Sequence, residues 1–308
     1  MSLGFSRVGF EVVAAMDHWL KAVDVYRQNF DHPCHLQDLS DESSTLELLR
    51  GYRPDIVMGG PPCQDFSSAG KRDVSLGRAD LTCTFANLIV AANPRWFVME
   101  NVERIKSTAI MEQITKQWSA AGYGLSVVIL DASRCGVPQR RKRLFIVGER
   151  GGTHNRLNSW YAKHLSPKEM TMREYFGDAL GVDHYYRHPR TYRRRGIFSI
   201  DEPSPTIRGV NRPVPSGYKT HSGDPPDVSL DTVRPLTTVE RARVQTFPEH
   251  FVFPVAKTHA EQMIGNAVPV ALATFVARGI LAHVNVPQTT QQPALEIPYR
   301  PLHTLVPD

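Results

Sequence analysis

Two periods of apolar and polar residues alternate along the first 150 residues. Short apolar runs rich in β-branched and aromatic residues occur at Phe10–Met16, Asp55–Met58, Trp96–Met99, Leu125–Leu130 and Leu144–Val147. Runs this short predict buried strands. Between them the apolar positions take helical spacing. Residues 2–9 predict a helix end closed by Gly9, and 18–30 a helix carried by Leu20, Ala22, Val23, Val25 and Tyr26. Further helices are predicted over 43–51, capped by Ser43 or Ser44, over 80–92, and over 108–121, stopped by Gly122. Strands alternating with helices predict an α/β fold with a doubly wound, mostly parallel sheet.

The pattern lapses after Arg150. Residues 151–232 are rich in Pro, Gly, His, Arg and Tyr and hold no sustained period, which predicts a separate small module or insertion. Helical spacing returns from Thr237, with Val239, Ala242, Val244 and Phe247 following Thr238 as a cap, and 266–284 read as a strongly apolar helix. The segment from Pro287 is Pro- and Gln-rich and predicts a loosely packed tail. The organisation expected is a first domain over 1–150, an inserted module over 151–232, a return to the first domain over 233–285 and a tail over 286–308.

An apolar content of 41% supports a substantial core. No apolar run reaches the length of a transmembrane helix, and the start lacks the long apolar region of a signal peptide. These features predict a soluble, cytoplasmic protein with no membrane partner. Four cysteines, Cys34, Cys63, Cys83 and Cys135, form no C-x-x-C pair, which argues against a disulfide framework or a cysteine zinc site. Asp31-His32-Pro33-Cys34-His35 reads as a turn, so no metal site is expected. The net charge of +5 and pI near 9.0 permit a nucleic-acid partner. Two basic runs, Arg140–Arg143 and Arg187–Arg195, the second among Tyr185, Tyr186 and Tyr192, suit phosphate contact.

The sharpest stretch is Gly59-Gly60-Pro61-Pro62-Cys63-Gln64-Asp65-Phe66-Ser67. Two glycines and two prolines end the strand over 55–58 abruptly, placing Cys63 at the carboxyl edge of the sheet, where open α/β folds bind ligands. A polar, glycine-bearing loop through Lys71 and Arg72 follows. Glu100 ends another strand, and Arg141 and Arg143 precede a third. A thiolate, a carboxyl that holds a proton at a ring nitrogen and a guanidinium facing a carbonyl oxygen together suit covalent attack on an electron-poor heteroaromatic ring. Taken singly, Cys63 also fits a buried structural thiol, Glu100 a helix-capping acid and the arginines solvated surface groups.

Five segments carry a resemblance. Gly60-Pro61-Pro62-Cys63-Gln64 with Phe66-Ser67, Glu100-Asn101-Val102, Gln139-x-Arg141-x-Arg143, Arg234-Pro235-Leu236-Thr237 with Glu240, Arg243, Gln245, Phe247 and Pro248, and Gly265-Asn266-Ala267-Val268-Pro269 occur in this order. The chain resembles the cytosine-5 DNA methyltransferases of the bacterial restriction-modification type over roughly residues 3–285. The resemblance implies a Rossmann-like S-adenosylmethionine-dependent methyltransferase sheet with an inserted target recognition domain over 151–232. It implies Cys63 as nucleophile at carbon-6 of a flipped cytosine, Glu100 at nitrogen-3 and the amino group, and Arg143 with Arg141 at the ring oxygen. For S-adenosyl-L-methionine it implies Asp17 at the ribose, His18 on the adenine, Asp38 at the adenine amino group, and Asn266 and Val268 closing the site, with Pro62 and Leu81 as further contacts. For double-stranded DNA it implies Gln64, Ser67, Lys71, Arg72, Gln139, Thr206 and Arg208. Ser204-Pro205-Thr206-Ile207-Arg208-Gly209 is similar to the family's Thr-Leu region, with Ile in place of Leu.

A monomer is expected, with a cognate restriction endonuclease acting on the same DNA site. The family's opening strand and Asp-x-Phe-x-Gly-x-Gly-Gly loop have no counterpart before Met1-Ser2-Leu3-Gly4-Phe5, which implies that the native protein begins earlier. Two alternatives stand beside the leading one: a catalytically impaired homologue that still binds DNA, and an RNA cytosine methyltransferase.

Overall fold

A computed structural model describes residues 1–62, 81–189, 191, 193–226 and 228–284. Cys63, Gln64, Ser67, Lys71, Arg72, Arg190, Tyr192 and the tail from Pro287 lie outside the described residues. The chain forms two compact units. The first holds Met1–Asp131, Arg141–Leu165 and Phe251–Val255; the second holds Ala132–Arg140, Ser166–His250 and the chain from Ala256 onward.

In the first unit, helix α1 spans Ser2–Ser6, and Gly9 follows at φ +94°. Strand β1 (Ala15–Asp17) leads through helix α2 (Leu20–Arg27) to β2 (Cys34–Leu36), and the two strands pair in parallel. Helix α3 (Glu42–Tyr52) precedes β3 (Ile56–Gly59), and helix α4 (Leu81–Ala92) precedes β4 (Trp96–Val102). A short 3-10 turn and helix α5 (Ala109–Ala120) lead to β5 (Tyr123–Asp131). A two-residue strand β6 (Gln139–Arg140), which belongs to the second unit, precedes β7 (Lys142–Arg150). Four strands form one sheet in the order β3-β4-β7-β5, with β3 parallel to β4 and β7 antiparallel to both neighbours. Among the described residues, the second edges of β1 and β3 have no strand bonded to them.

The core of this unit follows from strand alternation. Phe97 and Met99 of β4, Leu144 and Ile146 of β7, and Tyr123 and Leu125 of β5 meet α4 through Phe85 and Ile89 and α5 through Ile114 and Trp118. Phe97 packs 4.4 Å from the Trp118 ring and 5.1 Å from that of Tyr123. Room for Phe97 exists because position 148 is glycine: a Cβ there would occupy the volume of the Phe97 ring. Burying each such aromatic contributes on the order of 5 kcal/mol before entropy is subtracted.

Helix α6 (Asn158–His164) closes this stretch of the first unit. The second unit holds helix α7 (Met172–Phe176), strands β8 (His184–Tyr186), β9 (Ile197–Ser199), β10 (Ser204–Pro205) and β11 (Arg234–Pro235), and helices α8 (Thr238–Val244), α9 (Lys257–Asn266) and α10 (Val270–Leu281). Strand order is β11-β8-β9 in one sheet, and β10 pairs with β6 in another. Asp224 ties the loops here, accepting from Gly196 and Ile197 N–H, from Tyr218 Oη at 2.8 Å and from His221 N–H at 2.7 Å.

Several sequence expectations shift. The strand over 10–16 contracts to Ala15–Asp17. The cap of α3 is Asp41, which accepts from Ser44 N–H, rather than a serine. The cap of α8 is Thr237, one residue earlier, in a reciprocal capping box with Glu240. The helix expected over 266–284 starts at Val270 because Pro269 cannot continue α9, and the sequence predicted no element over most of α9. Lys257–Leu281 is long and apolar enough to cross a membrane by composition, contrary to the sequence expectation. It is nevertheless two helices, and 67% of its most apolar window is buried within the protein. Tyr185 and Tyr186 are only 1% exposed, so they build core rather than join the basic run in phosphate contact.

Candidate functional site

Alternation along β4 decides where Glu100 points. Phe97 and Met99 face α4 and α5, so Val98, Glu100 and Val102 face the other way. Register in the antiparallel pair sets Glu100 opposite Phe145 and Val102 opposite Arg143, which makes Glu100 and Arg143 diagonal neighbours on one face. Arg143 Nε lies 3.0 Å from Glu100 Oε1, with the side chains 16% and 11% exposed. Glu100 lies in the C-terminal part of β4, which ends at Val102, and Arg143 is the second residue of β7 rather than preceding that strand. Arg141, two residues before Arg143, is buried, and its backbone N–H donates to Asp131 Oδ1 at 3.2 Å.

The turn after β3 is built against this cluster. A Cβ at position 60 would stand 3.2 Å from Glu100 Oε2, so glycine is what lets the chain pass the carboxylate closely. Asn101, on the opposite face of β4, donates from Nδ2 to the Pro61 carbonyl at 3.1 Å, while its Oδ1 accepts from Val102 N–H. The chain entering Cys63 is thus fastened to the strand that carries Glu100. Asn101 belongs to the Glu100-Asn101-Val102 motif, and the sequence by itself assigns it no role. Its place next to Glu100 on a strand, reaching a different face, was the available signal.

Burial pushes the Glu100 carboxyl above the ordinary carboxylate range, and Arg143 and Arg141 pull it back. Arg141 is lowered to about 9, chiefly by burial and secondly by Arg143, with Glu100 opposing both. Arg143 is lowered by burial and supported by Glu100. A carboxyl so placed can keep and share a proton, and the adjoining guanidiniums can stabilise charge on an oxygen.

The family model of C-5 cytosine-specific DNA methylases matches residues 1–282. The chain belongs to the C-5 cytosine-specific DNA methylase family. Type II methyltransferase M.HindV of Haemophilus influenzae is 57% identical over 281 residues, covering 91% of this chain and 92% of that protein. Type II methyltransferase M.HgiDI of Herpetosiphon aurantiacus is 53% identical over 291 residues, covering 94% of each. The crystal structure of the S. pombe Dnmt2 methyltransferase superposes with a TM-score of 0.70 at 17% identity, over 93% of this chain and 96% of that one, and shows the shared Rossmann-like methyltransferase fold.

The methylase family's expected cofactor residues divide between the units. In the first, Asp17 ends β1 and Asp38 follows β2, so both acids stand at the carboxyl side of two paired parallel strands. Asp17 Oδ1 accepts from Trp19 N–H at 2.8 Å and lies 3.7 Å from His18 Nδ1; Asp38 Oδ1 accepts from Ser40 N–H and Oγ. Both are exposed, as are His18 and Pro62, and Leu81 opens α4 half-buried. In the second unit, Asn266 is the exposed last residue of α9 and Val268 lies buried before α10. A groove of about 660 Å³ along β2 and α3, lined by Arg27, His35, Gln37, Glu47 and Tyr52, contains none of these residues.

The expected DNA residues of the methylase that can be described lie in the second unit. Gln139 is fully buried, donates from Nε2 to Gln245 Oε1 at 2.7 Å and accepts from Ile207 N–H at 2.9 Å, so its amide is engaged inside the protein. Thr206 Oγ1 donates to the Arg140 carbonyl at 2.9 Å, and Arg208 donates to the His188 carbonyl. Of the basic runs, Arg140 pairs with Glu169 at 2.7 Å and Arg195 with Glu202 at 2.5 Å, while Arg193 and Arg194 are exposed. The run Arg140–Arg143 is therefore not one phosphate-facing patch, because strand alternation sends its members to different surroundings.

Proposed function

We propose that this chain transfers a methyl group to carbon-5 of a cytosine flipped out of double-stranded DNA, through a covalent adduct with Cys63. The observation that supports this reading best is the buried Glu100–Arg143 pair, with Arg141 beside it, packed against the glycine turn that runs directly into Cys63. The Cys63 thiolate attacks carbon-6, forming a carbon–sulfur bond and placing electron density on carbon-5. Glu100 holds a proton at nitrogen-3 and accepts from the amino group. Arg143 and Arg141 stabilise the ring oxygen as charge develops there. Once carbon-5 carries the methyl, loss of its proton returns an electron pair that expels the Cys63 thiolate.

Asp17 and Asp38 fit S-adenosyl-L-methionine by donor chemistry: two exposed carboxylates at the ends of adjoining parallel strands suit ribose hydroxyls and an adenine amino group. Bound there, the cofactor supplies the methyl group. His18, Pro62, Leu81, Asn266 and Val268 complete this proposed set. Residues 151–232 act as the target recognition domain, between a catalytic domain over 1–150 and its return over 233–285. Base-edge readout comes from this module, with Thr206 and Arg208 in the segment that positions it, and phosphate contact from Lys71, Arg72 and the exposed Arg193 and Arg194 of the second basic run. The protein works in the cytoplasm as a monomer, alongside a restriction endonuclease that cuts the same site.

Duplex DNA carrying 5-fluorocytosine tests the reading. With S-adenosylmethionine present it should trap a denaturation-resistant adduct on the wild-type protein and none on Cys63→Ser. Wild-type protein that binds DNA without trapping points to the impaired homologue. Trapping on RNA alone points to an RNA enzyme.

A further inference from the structure

The segment Thr206–Asn211 is irregular, yet almost every residue of it is held. Arg187 donates to the Thr206 carbonyl at 2.9 Å, and Ile207 N–H donates to buried Gln139. Arg241 donates to the carbonyl of Arg208 and, at 3.4 Å, to that of Val210. Gly209 lies against Gly265 of α9 so closely that a Cβ on Gly265 would collide with its backbone. Asn211 Nδ2 donates to the Leu236 carbonyl at 2.8 Å and to Glu261 Oε1 at 3.1 Å.

Two of these anchors form a buried ion pair, Arg241 Nε with Glu261 Oε2, whose side chains are 5% and 3% exposed. Thr238 Oγ1 adds a bond to Glu261 at 2.9 Å. Burying such a pair costs desolvation that an apolar pair avoids. An irregular strap, by contrast, has no ladder to satisfy its carbonyls, and a guanidinium with five donors can serve two of them while paired. Arg241 lies among the residues that resemble the family's helix motif but is not one of them.

We propose that the Arg241–Glu261 pair is a positioning device that holds the Thr206–Asn211 strap in one conformation for DNA readout. This rests on the proposed assignment of the surrounding module to DNA recognition. Arg241 acts through the strap and does not touch substrate. Apolar replacement of both partners should leave folding intact, because a buried pair exchanged for packed side chains is often neutral or stabilising. The strap then loses its carbonyl donors. If it holds the competent conformation in about a tenth of molecules, apparent DNA affinity falls about tenfold.

The test compares wild type, Arg241→Met/Glu261→Met and Arg241→Lys. Amide hydrogen exchange on the free proteins reads the strap directly. Exchange over 206–211 should quicken at least tenfold in the double variant while α10 stays protected, and unchanged exchange would overturn the proposal. Methylation of duplexes bearing the site that wild type selects from a random library should show KM for DNA raised about tenfold with kcat nearly constant, and selectivity against single-base variants reduced. Arg241→Lys, which keeps the charge but cannot reach both carbonyls, should follow the double variant. Its full recovery of wild-type KM and exchange would assign the pair to folding alone. Wild-type protein that methylates no duplex would refute the DNA reading instead, leaving the exchange result to decide the strap.

Discussion

Truncating Arg143 leaves Glu100 buried beside one guanidinium instead of two, and the cost can be worked from the structure. At 3.0 Å the pair attracts by about 5 kcal/mol with an effective dielectric near 20, most of it offset by desolvation. Removing one partner of a fully buried pair costs about 3–5 kcal/mol, and with Arg143 16% exposed and Arg141 remaining, we expect the low end, about 3 kcal/mol, for Arg143→Ala. The cost must depend on pH. Burial already raises the Glu100 carboxyl, and Arg143 opposes that shift, so its removal raises the carboxyl further. A carboxyl raised in the folded state binds more protons there than in the unfolded chain. Its contribution is therefore fully present below the ordinary glutamate range and is lost as pH rises through the folded value. The variant should lie nearer wild type at about pH 5 and fall away toward about pH 8. Urea denaturation followed by fluorescence of Trp96 and Trp118, both buried in the same unit, reads this. Glu100→Gln/Arg143→Met should recover most of the loss and flatten the pH dependence. A destabilisation below about 1 kcal/mol, or one equal at both pH values, would refute the buried-pair argument.

The glycine turn, helix α3 and the α8 cap offer three further measurements. Gly60→Ala should displace the Glu100 carboxylate and slow adduct trapping at least about tenfold with little change in the urea midpoint. Gly51→Ala, exposed within α3 with nothing near a new Cβ, should stabilise by about 0.5–1 kcal/mol and leave trapping unchanged. Thr237→Ala removes the α8 cap, whose Oγ1 accepts from Glu240 N–H at 3.2 Å, and should cost about 1 kcal/mol by denaturation while Thr237→Ser stays near wild type.

Alternation of short apolar runs with helical spacing determined the α/β class from the sequence alone, because buried strands and amphipathic helices each impose their own period. The five motif segments determined the family, and with it a short roster of chemical candidates. Boundaries were less legible where several groups could serve one end: Asp41 rather than a serine caps α3, and Thr237 rather than Thr238 caps α8. What only the tertiary structure decided is company. Strand parity turned Glu100 away from the core formed by Phe97 and Met99, and cross-strand register brought Arg143 within 3.0 Å of it from 43 positions along the chain (143 − 100). Parity also took Gln139 into the interior, where its amide meets Gln245 and Ile207. A sequence records which groups are present; desolvation and pairing, which set their charge and reach, depend on neighbours that only folding brings together.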